Sequence, residues 1–392
     1  MNFGLWEIAI LLLAAKIGGA IFQRLGQPSL AGELIAGIVM GALVTSLADS
    51  ATIQLVAELG IILLILLTMM VIDLSSIEKD IEKLVIAQAV SAVIIYALLV
   101  TLSSVFTLSI PQTLVVWAAI FGSSTVISAR ALMAMNSITS REGQAVMGLQ
   151  IINGIIELLL ISSVINVIQY QEVSWEPVLK LALMVVGTVV VMSRYGSHFI
   201  RWLFNSVRVF RLEEALLALT LVLAFLAGAV TEAVGMTSYL GVMLIGVLIS
   251  RTEQSKVIAK KISDLGEAFF IPVFFASLGL TVSLVAVAQN FQLLLFLLVA
   301  LTAIRFLAYL VPVKLLGYTF VESMKITSLL LPMSEYGLLM LSIGVDYGVL
   351  TSAMYSVLIV VFLLVNILAP MLAIRLFRIP SVRSDRRGGA WI

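Results

Sequence analysis

Three polar side chains stand inside apolar segments of this sequence. Asn153 and Glu157 lie four residues apart in the segment 143–168, and Arg305 lies in the segment 291–316. A charged side chain near the centre of a bilayer costs roughly 3 kcal/mol on insertion scales, so such residues usually have a partner or a function. These three residues are therefore the first candidates for a functional site.

The spacing on the segment 143–168 places three polar side chains on one side of a helix. Gln150, Asn153 and Glu157 are three and four residues apart, which is the spacing of helix neighbours. A carboxylate kept from water can hold either a proton or a small cation, and it cannot hold both at once. Amide and hydroxyl oxygens, such as those of Asn153, Ser124 and Thr125, suit a hard cation. Glu157 and Asn153 are thus the predicted ligands of a transported Na⁺.

Arg305 is predicted to act as a counter-charge. An arginine keeps its proton in proteins, so burial requires its guanidinium to contact an anion or carbonyl dipoles. Glu157 is the first candidate partner and Glu335 the second. The alternative is a structural ion pair that joins two helices without contacting a substrate.

Composition sets the fold class. Of the 392 residues, 61% are hydrophobic and 11% are charged, whereas roughly 25% are charged in a soluble domain. The sequence therefore predicts an all-α polytopic membrane protein. Thirteen apolar segments have about the 17–25 residues of a membrane-crossing helix, or slightly more if the helix is tilted. The thirteen spans are 4–22, 29–47, 53–73, 84–107, 112–134, 143–168, 177–194, 212–231, 235–250, 257–283, 291–316, 323–345 and 350–376.

The charge pattern predicts the orientation in the membrane. Lys and Arg fall almost entirely in alternate connections, beginning with the one between the first and second spans, and cytoplasmic loops collect such residues. The N-terminus is therefore expected outside and the C-terminus in the cytoplasm, across the cytoplasmic membrane. The first span lacks a basic leading region and is expected to be retained rather than cleaved. Residues 1–377 form one transmembrane unit in this prediction, and 378–392 form a short basic tail.

Two spans contain residues that interrupt a helix. Proline removes a backbone donor, and irregular backbone at membrane depth is tolerated where it lines a cavity. The predicted break residues are Ser123, Ser124 and Thr125 in the fifth span, and Pro332, Met333, Ser334 and Glu335 in the twelfth. Since the two spans are seven apart in order, they cross in opposite directions, as expected of an inverted repeat of spans 4–6 and 11–13. Glu335 and the hydroxyl groups either contact the ion or cap the half-helix ends.

Several classes of function are excluded. The chain has no Cys and a single His, His198 in a predicted loop, which excludes thiolate, multi-histidine and haem sites. It contains no phosphate-binding loop, no H-E-x-x-H and no G-x-S-x-G motif, so neither an enzyme nor a resident cofactor is expected. Its basic residues are dispersed, which argues against a nucleic-acid partner.

Four segments carry a family resemblance: 30–38, 122–126, the phenylalanine-rich 265–280, and 331–337. Together they resemble the monovalent cation:proton antiporter superfamily, closest to its second branch of sodium/proton exchangers and potassium-efflux proteins. The resemblance covers nearly the whole chain. It implies crossed, unwound helices at the site, an elevator-type movement and a homodimer. It also implies a dimerisation part (about 1–73 and 212–283), a core part (about 84–168 and 291–377) and a linker helix (about 177–194).

The sequence departs from the family at one position that matters. Members carry an ion-binding Asp on the sixth span after Asn, Asp or Gln, whereas here Asn153 is followed by Gly154. The family's basic residue on the eleventh span matches Arg305. We hypothesise that Glu157, one turn after Gly154, takes over the exchange role or that Glu335 shares it. The alternative is a member without proton coupling: a uniporter or channel-like protein, a carrier of another solute, or a protein that does not transport.

The expected function is therefore secondary antiport of a monovalent cation, Na⁺ before K⁺, against H⁺. A single titrating acid predicts electroneutral exchange. The expected partners are the transported ions, membrane lipid and a second copy of the chain.

Overall fold

The computed structural model describes residues 4–71, 81–106, 108–137, 139–170, 213–233 and 238–377. Within these ranges the backbone is helical apart from turns and one isolated β-bridge. The predicted linker helix 177–194, His198 and the predicted tail 378–392 lie outside the described residues.

Sixteen α-helices lie within the described residues. They are α1 (Leu5–Arg24), α2 (Ser29–Leu43), α3 (Ala51–Val71), α4 (Ile81–Phe106), α5 (Ile110–Phe121), α6 (Thr125–Ala134), α7 (Arg141–Tyr170), α8 (Glu213–Ala233), α9 (Ser238–Ser250), α10 (Ser255–Leu265), α11 (Ile271–Leu280), α12 (Leu284–Gln289), α13 (Phe291–Leu315), α14 (Phe320–Leu330), α15 (Glu335–Asp346) and α16 (Ser352–Phe377). Within the described ranges, eight helical segments are long and apolar enough to cross a membrane. The all-helical membrane fold predicted from composition is therefore confirmed.

The predicted spans correspond closely to these helices. Each described part of the prediction coincides with one helix, or with two helices that meet at an interruption. The fifth span consists of α5 and α6, and the twelfth consists of α14 and α15. The tenth consists of α10 and α11, joined by a π-helical turn, Gly266–Phe270. Lys16 of α1 donates a hydrogen bond to the carbonyl of Glu267 within this turn, at 2.8 Å.

The described helices pack as two groups. The first group comprises α1, α2, α3, α8, α9, α10 and α11, and the second comprises α4 to α7 and α12 to α16. Glycine lets backbones touch in the first group: a Cβ on Gly37 of α2 would collide with the carbonyl of Ala276 in α11. The groups meet where α7 packs on α9 and where α16 packs on α2. The second group contains both interrupted spans.

Candidate functional site

The two interrupted spans cross at their breaks, which run antiparallel to each other. The N–H of Ser124 donates to the carbonyl of Pro332 at 2.9 Å, and the N–H of Ser334 donates to the carbonyl of Gly122 at 3.3 Å. Between these bonds, Ser123 and Met333 form an antiparallel β-bridge. Backbone groups released by the helix interruptions thus find partners in the opposite break, as buried backbone requires.

A serine begins the helix that follows each break. The Ser124 hydroxyl accepts from the N–H of Ile127, and the Ser334 hydroxyl accepts from the N–H of Gly337, each at 3.4 Å. These serines are the N-caps of α6 and α15, so two helix N-termini with partial positive charge point at the crossing. Thr125 and Glu335 are the first helical residues after the caps.

Both N-cap serines also donate to a carboxylate. The Ser124 hydroxyl donates to Oε1 of Glu335 at 2.8 Å, and the Ser334 hydroxyl donates to Oε1 of Glu157. The two acids predicted at this site are therefore bound to opposite breaks. Carboxylates are favourable at such positions because they complement the positive helix ends.

Glu157 is fully buried between the breaks. Its Oε2 has no hydrogen-bond partner among the described residues. A Cβ on Gly122 would overlap the Glu157 carboxylate, so the glycine at the first break provides the space that the acid occupies. The Glu157 carboxylate thus faces the protein interior.

Asn153 holds the first break in place. Its Oδ1 accepts from the N–H of Ser123 at 2.8 Å, and its Nδ2 donates to Oε1 of Gln88 and to the hydroxyl of Tyr309, each at 3.2 Å. Gln150, one turn earlier on α7, donates to the hydroxyl of Ser123 at 2.9 Å. Oε1 of Gln150 has no partner within the described ranges. The polar side of α7 predicted from the spacing therefore lies against the first break.

Arg305 is fully buried, and it contacts the second break rather than an acid. Its Nη2 donates to the carbonyls of Leu330, Leu331 and Pro332, at 2.9, 3.1 and 3.4 Å. The Leu330 carbonyl is the last of α14 and the other two follow it directly, at the end where a helix carries partial negative charge. Of the alternatives expected from the sequence, this structure has the carbonyl dipoles and not a direct pair with Glu157. Nε and Nη1 find no acceptor in the described part of the chain.

The same helix also caps the first break. Tyr309, one turn after Arg305 on α13, donates its hydroxyl to the carbonyl of Phe121, the last residue of α5. The C-terminal ends of both half-helices are thus satisfied by side chains of α13. Arginine and tyrosine suit this task because they carry donors on long side chains that reach across a helix interface.

A family model described as "Sodium/hydrogen exchanger, transmembrane" matches residues 9–378. The chain belongs to this exchanger family. Among curated relatives, it is 22% identical to the probable Na(+)/H(+) antiporter GerT of Bacillus cereus, over 91% of this chain and 94% of the relative. It is 24% identical to the Na(+)/H(+)-K(+) antiporter GerN of the same species, over 93% and 94%.

A solved structure shares the fold. The sodium proton antiporter MjNhaP1 from Methanocaldococcus jannaschii, at pH 8, superimposes with a TM-score of 0.74 and 14% identity, over 95% of this chain and 97% of that one. Membership in the exchanger family confirms the superfamily resemblance predicted from the four segments. Since this is a family of transporters, the prediction that the chain is not an enzyme is also confirmed.

The position where the family resemblance implies an acid is open in this exchanger. A Cβ added to Gly154 would meet no other atom within 4 Å. A side chain at this position would therefore begin in open space. No other described residue fills it, since nothing else approaches the position of that Cβ.

Three residues of the site were missed in the sequence. Gln88 and Tyr309 contact Asn153, and Asn366 of α16 binds the backbone of Met333. Gln88 and Asn366 are amides within apolar spans, so the argument that selected Asn153 could have found them. Tyr309 offered no such signal, because tyrosine is a usual residue of membrane helices near the interfaces and does not by itself indicate a buried polar contact.

Proposed function

We propose that this exchanger-family chain moves a monovalent cation against protons across the cytoplasmic membrane, with Glu157 holding either one. The observation that carries the proposal is the buried Glu157 carboxylate, which has one oxygen on Ser334 and the other without a partner among the described residues. A buried polar atom left unpaired costs about 1–3 kcal/mol. A bound proton removes the buried charge and a bound cation neutralises it, and each excludes the other.

The surroundings supply oxygen ligands for a cation. Besides Glu157, the hydroxyls of Ser124 and Ser334 and the free Oε1 of Gln150 belong to the same crossing. Hard cations prefer such oxygen donors. We propose Na⁺ as the first substrate because both relatives named above carry it in their names. K⁺ is the second, because it appears in the name of one of them. Asn153 is either a neutral ligand of the cation itself or the residue that holds the first break, whose Ser124 hydroxyl is such a ligand.

The mechanism is a competition at one acid. When a cation occupies Glu157, the proton leaves; when the proton returns, the carboxyl loses its charge and releases the cation. One acid that exchanges one charge for another makes the cycle electroneutral. Arg305 stays charged throughout and is held by the carbonyls of the second break, so it lowers the affinity for a second cation. Glu335, the first residue of α15, accepts from the N-cap serine of α6, Ser124, and so joins the N-termini of the two helices.

Alternating access is proposed to be a movement between the two helix groups. Both breaks, Glu157 and Arg305 belong to the second group, so the site travels as a unit when that group slides along the first. This elevator movement requires the first group to stay fixed. We propose that it does so as the contact surface of a homodimer, with the remaining apolar faces in lipid. The proposed orientation has the N-terminus outside and the C-terminus in the cytoplasm, from the distribution of Lys and Arg.

A proteoliposome experiment tests the exchange. Vesicles with a preset pH gradient receive Na⁺, K⁺ or Li⁺, and an internal dye reports the pH. The wild type is expected to dissipate the gradient on cation addition, and Glu157→Gln is expected to abolish the response. Glu58→Gln is the matched control, because Glu58 is an exposed acid of another apolar helix, α3. Cation flux that survives Glu157→Gln, followed in parallel with a cation-sensitive dye, would contradict the mechanism and indicate a channel.

A second candidate function is cation passage without proton coupling. Gly154 favours it, because the position of the expected acid is empty of side-chain atoms. Gly154→Asp separates the two functions, since the added Cβ fits without a collision. If the wild type moves cations without protons and Gly154→Asp gains proton coupling, the second function is correct. If the wild type already exchanges through Glu157, the first is correct.

A further inference from the structure

A second asparagine holds the second break. Asn366 lies on α16 and is buried. Its Oδ1 accepts from the N–H of Met333 at 2.6 Å, and its Nδ2 donates to the carbonyl of Met333 at 3.1 Å. One side-chain amide therefore binds both polar groups of a single residue in the interrupted backbone. Such a pair of bonds fixes the position and the orientation of that residue.

Asn366 is the counterpart of Asn153 in the other repeat. Asn153 accepts from the N–H of Ser123, the residue directly before the N-cap of α6, and Asn366 accepts from the N–H of Met333, the residue directly before the N-cap of α15. Ser123 and Met333 face each other in the β-bridge. The helices that carry the two asparagines, α7 and α16, each follow the interrupted span of their own repeat.

The symmetry is broken at one position. Four residues after Asn153 stands Glu157, whereas four residues after Asn366 stands Pro370. The scaffold is therefore duplicated, but the acid at this helix position is not. Asn366 has no acid one turn further on along its own helix. Its contacts are with Met333 in the second break.

Through the second break, Asn366 is connected to Glu157. Met333 is followed by Ser334, whose hydroxyl donates to the Glu157 carboxylate. We propose that Asn366 is a positioning residue of the exchange site: it fixes the Met333 peptide and thereby directs the Ser334 hydroxyl at Glu157. This inference rests on the proposed exchange at Glu157. Asn366 itself does not touch the ion.

The first test compares two asparagines in the exchange assay. Asn366→Leu removes both bonds to Met333. Asn166→Leu is the matched control, because Asn166 lies on α7 and its Nδ2 donates to the carbonyl of Ser162 in its own helix, at 2.9 Å. The Na⁺ concentration for half-maximal exchange is expected to rise at least tenfold in Asn366→Leu and to stay within twofold of wild type in the control. Equal values for the two variants would overturn the inference.

The second test asks whether the effect passes through Ser334. In a Ser334→Ala background, the hydroxyl that Asn366 is proposed to direct is absent. Asn366→Leu should then add less than a twofold change in the half-maximal Na⁺ concentration. A purely structural role predicts that the two changes multiply, and that result would overturn the inference.

The third test uses a variant that keeps the side-chain size. In Asn366→Asp, the protonated carboxyl carries one O–H donor and one acceptor and can make both bonds to Met333, whereas the ionised form can only accept. The half-maximal Na⁺ concentration, divided by that of wild type at the same pH, is expected to approach one as the pH falls. The leucine variant should show no such recovery.

The outcomes are separable. A wild type that shows no cation-driven pH change overturns the proposed function, and this inference with it. An active wild type in which the Asn366→Asp ratio stays as high as that of the leucine variant at every pH overturns the inference alone. If neither Asn366 variant can be purified as a folded protein, Asn366 has a structural role only, and the inference is overturned as well.

Discussion

Gly122→Ala is the sharpest test of the site, because its effect comes from one added carbon atom. Gly122 has φ −64° and ψ 148°, an extended conformation that alanine also adopts, so the backbone needs no change. The new Cβ would overlap the Glu157 carboxylate. The acid must therefore leave its position between the breaks.

The magnitude follows from the bond that Glu157 loses. In its new position, the carboxylate no longer accepts from the hydroxyl of Ser334. A hydrogen bond to a charged group contributes about 1.5–3 kcal/mol, and each 1.4 kcal/mol is a factor of about ten in affinity. The half-maximal Na⁺ concentration for exchange should thus rise between about tenfold and about 150-fold.

Gly154→Ala is the control for the same substitution. Its Cβ meets no other atom within 4 Å, and it lies on the helix that carries Glu157. Alanine in place of glycine inside a helix adds about 0.5–1 kcal/mol of stability, so this variant should fold at least as well as wild type and exchange within about twofold of it. Both variants are measured by Na⁺-driven dissipation of a pH gradient in proteoliposomes. If Gly122→Ala matches Gly154→Ala, Glu157 does not act from between the breaks.

Three further substitutions address the scaffold, each read as the melting temperature in detergent. Arg305→Leu removes the donor to the carbonyls of Leu330 and Leu331 and should lower the stability by about 1–3 kcal/mol. Arg305→Lys should restore part of this stability, because lysine keeps a charged donor. Asn153→Leu leaves the N–H of Ser123 without its acceptor and should cost about 1–3 kcal/mol. Gly337→Ala places a Cβ against the carbonyl of Ala119, so α5 and α15 must separate, at about 1–3 kcal/mol.

The controls for these predictions come from the same helices or the same kind of change. Asn166→Leu controls for the loss of an amide on α7, and Gly154→Ala controls for the added methyl group. A melting temperature unchanged in Arg305→Leu would mean that the carbonyls of α14 find other donors. An unchanged value in Gly337→Ala would mean that α5 and α15 tolerate a wider separation than the present contact suggests.

The sequence predicted the breaks because their residues are chemically unusual in an apolar span. Pro332 lacks a backbone donor, and the serine pair Ser123 and Ser124 is of the residue type that caps helix N-termini. The prediction that the two breaks cross also required the order of the spans, which shows that the fifth and twelfth run in opposite directions. What no pattern could supply was the pairing of Ser124 with Pro332 and of Ser334 with Gly122, because backbone bonds between distant segments leave no mark on side-chain types.

The role of Arg305 shows a second limit of the sequence. The sequence allowed an acid or carbonyl dipoles as its partner and favoured an acid, yet the guanidinium lies on three backbone carbonyls. Carbonyl groups are present at every residue, so their availability depends on where a helix ends in space. Gly122 is a similar case. Gly122 matters because the Glu157 carboxylate fills the space that a side chain at position 122 would need. The two residues are far apart in the sequence, and neither indicates the other.

The π-helical turn at Gly266–Phe270 has a consequence for length variation in this protein. A π-helical turn contains one residue more than an α-helix between the same end points. The turn therefore works as a spacer: it holds an extra residue, while the side chains of α10 and α11 keep their relative orientation about the helix axis. Losing one residue there keeps Ala276 against Gly37, whereas losing one inside α11 would rotate the remainder by roughly 100°. Lys16 already binds a carbonyl of the spacer from outside. A one-residue deletion should therefore be tolerated better within Gly266–Phe270 than elsewhere in the tenth span.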